Sequence, residues 1–100
     1  MRHAKRAELE AAVQEQLGCP STYVEAEFVR QVWQGKVAWE GMVHVVRLSG
    51  HPEARYCYVM LLGGEEGEPP RYHFTLETME TGSTKAAVRA YIKASLQRDA

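Results

Sequence analysis

One hundred residues, 45% of them apolar and 25% charged, with a formal net charge of −1 and a pI near 6.4, describe a globular domain of ordinary composition. That length buries a modest core without disulfide or metal staples and leaves no room for a second domain, so residues 1–100 are read as one unit. The charge balance argues against a strongly basic nucleic-acid module, and the longest apolar run, Tyr56 to Leu62, is far short of the ~20 residues of a membrane-spanning helix.

The chain opens Met1-Arg2-His3-Ala4-Lys5-Arg6 and passes directly into Glu- and Ala-rich sequence, without the apolar stretch of a secretory signal, so a cytoplasmic setting is expected. Good helix formers run from Arg2 to Leu17, with Leu9, Ala12, Val13 and Leu17 on one face and Glu8, Glu10, Gln14 and Glu15 on a solvated one. Gly18 stops this helix and Cys19-Pro20-Ser21 is a turn. The stretch Tyr23 to Trp33 fits two periods: Val24, Phe28 and Val32 have helical spacing, while Phe28, Arg30 and Val32 alternate. The expectation is a short edge strand from about Glu27 to Trp33. Lys36 to Leu48 is a β-branched strand, Ser49 to Glu53 a reversing loop, and Arg55 to Leu62 the next strand. An acidic loop with Glu65, Glu66 and Glu68 follows, and then Tyr72, Phe74 and Leu76 alternate with His73, Thr75 and Glu77. Ser83 or Thr84 caps a closing helix to about Gln97, with Val88, Tyr91, Ile92, Ser95 and Leu96 on one face.

The fold class expected is therefore α+β: a helix, an antiparallel meander of three to four strands and a helix, with both helices on one face of the sheet. Symmetrical loops set Leu48 opposite Arg55 and Leu62 opposite Arg71. One face then collects Met42, Val46, Leu48, Cys57, Val59, Leu61, Tyr72, Phe74 and Leu76, with His44 hydrogen-bonded near this core. The other collects Trp39, Val43, Val45, Arg47, Tyr56, Tyr58, Met60, Leu62, Arg71, His73, Thr75 and Glu77. It is too apolar for a face meant only for water, and patches of that kind mark contact with another molecule or cover by the chain itself.

Chemical motifs are sparse. Thr81-Gly82-Ser83-Thr84-Lys85 lacks the Gly-Lys-Ser/Thr order of a phosphate-binding loop and reads first as an ordinary N-cap. Cys19 and Cys57 are far apart without a CxxC, the acidic loop lacks calcium-ligand spacing, and no nucleophile and base can be paired, so no cofactor, metal or catalytic residue is implied. His51, in Gly50-His51-Pro52, either caps its loop through a local hydrogen bond or contacts a ligand.

The run from Trp39-Glu40-Gly41-Met42-Val43 through Gly50-His51-Pro52-Glu53-Ala54 to Cys57-Tyr58, with Ala86-Ala87-Val88-Arg89-Ala90 later, resembles a family of small uncharacterised bacterial proteins. The resemblance covers the central half of the chain and the last helix; it implies a bacterial, cytoplasmic setting and no particular activity. The element order is also similar to that of the double-stranded-RNA-binding domain, whose His-bearing loop and lysine-rich helix start grip RNA. That similarity implies His51, Lys85 and Arg89 as contacts, although only one of the three family lysines is present. Two functions are thus expected in order: a non-catalytic protein acting by self-association, as a homodimer, or by contact with another protein on the open sheet face; and RNA or single-stranded nucleic-acid binding, with Tyr56, Tyr58 and Arg47 as a stacking alternative.

Overall fold

Helix formers uninterrupted by Gly or Pro make α1 (Arg6–Leu17), the first element of the computed structural model, which describes residues 6–63, 67, 70–79 and 81–99. Gly18 ends it at a φ of 69°, its N–H donating to the Gln14 carbonyl at 2.8 Å, a backbone position that a residue with a Cβ takes only at a cost. Four strands follow, β1 (Ser21–Trp33), β2 (Lys36–Leu48), β3 (Tyr56–Gly63) and β4 (Pro70–Leu76), and then α2 (Thr84–Asp99). The strands form one antiparallel sheet in chain order, so the protein is α+β, a helix, a four-stranded meander and a helix.

The expected short strand from Glu27 to Trp33 is the second half of the 13-residue β1. Bulges account for its ambiguous period. The register with β2 shifts between Tyr23 and Glu25, leaving Val24 as an extra residue, so the alternation changes phase there. A second shift between Gln31 and Val32 leaves Ala38 of β2 unpaired. Gln34 and Gly35 join the two strands with φ of 52° and 77°, the two positive values that a type I′ turn needs to match the strand twist. Further along, Leu48 N–H donates to the Arg55 carbonyl at 2.7 Å and Leu62 pairs with Arg71, as symmetrical loops imply.

Side-chain alternation then divides the sheet into two apolar faces. On one, Val46, Leu48, Cys57 and Val59 pack with Leu9 and Val13 of α1. On the other, Val43, Val45, Tyr58 and Met60 pack with Val29 of β1 and with Ala87 and Val88 of α2. The helices therefore lie on opposite faces, which corrects the expectation that both cover one. The cause is the apolarity of both faces: each buried Val or Met side chain contributes about 1.5–3 kcal/mol when it leaves water, so the second face gains most from the remaining helix. The connection that carries the chain across is built from threonines. Thr78 and Thr81 exchange backbone-to-hydroxyl bonds of 3.0 and 3.1 Å, and the Thr81 hydroxyl donates to the Leu76 carbonyl at 2.7 Å. Ser83 Oγ then caps α2 by accepting the Ala86 N–H at 3.1 Å.

Glu10 leaves the solvated face expected for it. Its carboxylate Oε2 accepts the Tyr23 N–H at 2.7 Å, and its carbonyl accepts the Ser21 hydroxyl at 2.9 Å, tying α1 to the start of β1.

Candidate functional site

Trp39, Val43, Val45, Arg47, Tyr56, Tyr58, Met60, Arg71 and His73 lie together on the α2 side of the sheet: Val43 pairs with Met60, Val45 with Tyr58, Arg47 with Tyr56, and Met60 in turn with His73. That face is not open. Under α2, Val43 and Met60 are at 0% exposure, Tyr58 at 5% and Val45 at 9%, and Tyr91 sets its ring edge-on to His73 with centroids 4.8 Å apart. Only the margins are accessible, with Arg47 and Arg71 exposed and Trp39, Tyr56 and His73 half-buried. The apolarity that marks a contact face also marks a face covered by the chain's own helix, and here the second holds. Burial, with the neighbouring Glu77 and Tyr56 adding to it, raises the Tyr58 phenol above its ordinary range.

The candidate anion contacts sit on two separate elements. His51, in the loop between β2 and β3, uses Nδ1 to accept the N–H groups of Glu53 at 3.0 Å and Ala54 at 3.2 Å, the loop-capping role. Lys85 and Arg89 are exposed on α2 one turn apart, and Arg89 Nε donates to Gln31 Oε1 of β1 at 3.4 Å.

Among the described residues, neither Cys57 nor His44 has the surroundings of a catalytic group. Cys57 is fully buried, and that burial pushes its thiol up to about 12, the opposite of the depressed value an attacking thiolate needs. His44, 9% exposed, meets the Tyr23 hydroxyl at 3.1 Å through Nδ1, beside the Arg6 guanidinium that lies 5.1 Å from the Tyr23 ring centre. Among the described residues no three His, Cys, Asp or Glu side chains gather to hold a metal ion, and no helix is long and apolar enough to cross a membrane. The acidic loop with Glu65, Glu66 and Glu68 lies outside the described residues.

The accessible apolar surface is elsewhere. β1 is an edge strand, and it exposes Val24, Phe28, Val32 and Trp33 at 47–57%. Its last residues face α2 across a groove of about 590 Å³ lined by Gln31, Val32, Trp33, Arg89, Ile92, Lys93 and Leu96. On the α1 side, Met42, Leu61, Tyr72 and Phe74, expected in the core, are only half-buried. The 12 residues of α1 reach about 18 Å, whereas the 13 residues of β2 span about 43 Å, so one helix cannot cover that face. Sequence reasoning missed the β1 surface because Val24, Phe28 and Val32 have helical spacing. The usable signal was position: the first strand of a meander is an edge.

Comparison of the chain with protein-family models, with characterised proteins and with solved structures found no match in any of the three.

Proposed function

We propose that the protein is a small, non-catalytic association module of the bacterial cytoplasm that works by binding a second copy of itself. One observation carries the reading: a 13-residue edge strand keeps four large apolar side chains in water, where such edges are normally shortened, charged or covered. The free thiols of Cys19 and Cys57 fit a reducing compartment, and the buried, uncharged state of Cys57 and the loop-capping role of His51 leave both without a chemical task. The open face first expected to mediate association is replaced in this reading by the first strand. Nucleic-acid contact through His51, Lys85 and Arg89 gains no support from geometry, since His51 Nδ1 and Arg89 Nε are engaged within the chain.

Sedimentation velocity over a wide concentration range tests the proposal. The expected result is a reversible shift from the 11.3-kDa species to twice that mass. A single 11.3-kDa species persisting to millimolar concentration would sink it.

A further inference from the structure

Resting on that reading of self-association, we infer that two copies join through antiparallel pairing of their β1 strands about a two-fold axis at Phe28, making one continuous eight-stranded sheet. β1 has its regular register with β2 only from Glu25 to Gln31, between the bulges at Val24 and Ala38, and Phe28 is the middle of that run. Before it, the edge is closed, because the Tyr23 N–H is taken by Glu10 of α1. A two-fold axis at Phe28 therefore lays the whole regular run against itself. It sets Glu25 opposite Gln31, Ala26 opposite Arg30, Glu27 opposite Val29 and Phe28 against its own copy. Centring on Ala26, Glu27 or Arg30 instead would oppose like charges directly, which cross-strand pairs disfavour.

The charges next to the strand complete the fit. Glu25 and Glu27 are exposed on the α2 side of β1, and neither has an ion-pair partner among the described residues. Arg89, bonded to Gln31, and Lys93 of α2 border the groove at the other end of the same run. With Glu25 of one copy opposite Gln31 of the other, the carboxylates of each chain arrive beside the cations of its partner. The two-fold repeats this contact at both ends. Just past the paired run the partner's Val24 arrives opposite Val32, beside the groove that Val32, Trp33 and Leu96 line, so the pairing that sets Phe28 against its own copy also brings apolar side chains together at that groove.

Charge reversal tests this arrangement with the full chain. One variant carries Glu25→Lys and Glu27→Lys, a second carries Arg89→Glu and Lys93→Glu, and Phe28→Lys is a third; all five positions are exposed, and circular dichroism melts of dilute samples check that each monomer is folded. Each variant alone is expected to self-associate at least about tenfold more weakly than the unaltered chain. An equimolar mixture of the first two should recover heterodimers, because both ends of the interface then oppose unlike charges. Folded variants that dimerise as the unaltered chain does, or a mixture that stays monomeric, would overturn the β1 interface while leaving self-association standing. An unaltered chain that is monomeric at every concentration would overturn both.

Discussion

Glu10 and Tyr23 are joined across the first turn of the chain: the α1 carboxylate accepts the Tyr23 backbone N–H at 2.7 Å. This contact satisfies an edge donor that no strand reaches and fixes where α1 lies on the sheet. Charged acceptors on backbone donors contribute about 1.5–3 kcal/mol when half-buried, more than an exposed carboxylate does. Glu10→Ala is expected to lower the unfolding free energy by about 1–3 kcal/mol, with Glu10→Gln recovering part of the loss. Glu8→Ala, on the exposed face, should stay within about 0.5 kcal/mol. Denaturant melts of the three variants decide it, and equal losses at Glu8 and Glu10 would contradict the assigned contact.

The position of α2 makes a second forecast. Met60 is fully buried beneath it, whereas Phe74, on the opposite face, is only half-buried. Met60→Ala should cost about 2–5 kcal/mol and Phe74→Ala distinctly less. His73, edge-on to Tyr91, should lose about 0.5–1.5 kcal/mol on truncation through this ring contact, and a Tyr91→Ala background should reduce the loss. The melts need dilute samples, so that association does not contribute. A silent Met60→Ala would mean that α2 does not cover this face.

Cys57 predicts both a reactivity and a pH dependence. With its thiol at about 12 and its side chain fully buried, a disulfide reagent at pH 8 should modify the half-exposed Cys19 in the native protein and reach Cys57 only as fast as the chain opens. The folded state holds the Cys57 proton between pH 9 and about 12 while the unfolded state releases it. Unfolding free energy from this group is therefore constant below pH 9 and falls above it, by about 1.4 kcal/mol per pH unit. The raised Tyr58 phenol acts in the same direction from pH 10 upward. Melts between pH 8 and 11 show whether Cys57→Ala flattens that decline, as it must if the buried thiol is the source.

Much of the sheet was legible in the residues. Lys36 to Leu48 is dense in β-branched side chains and free of Pro, and these ends are those of β2; the loops flanking β3 set Leu48 and Leu62 against their partners. β1 was half hidden because the bulge at Val24 changes which face each later residue takes, and a period read through a bulge mixes two phases. The side on which α2 packs was not legible from its own periodicity. Val88 and Tyr91 on one helical face state that a partner exists, and which face of the sheet it is depends on the apolar side that α1 leaves uncovered, reached by the crossing through Thr78 and Thr81. The contact surface is hidden for the same reason. Val43, Tyr58 and Met60 are equally apolar under a helix or under a partner, whereas the exposure of Phe28 follows from strand order.

Because α2 follows all four strands in the chain, the cover of one sheet face is synthesised after the sheet itself. A nascent chain that has completed β4 can already pair its strands with their sequence neighbours and seat α1, yet Val43, Val45, Tyr58 and Met60 still face water. Such an intermediate is a half-clothed sheet, prone to sticking to its siblings on the same message or to a holding chaperone until residues 84–99 emerge.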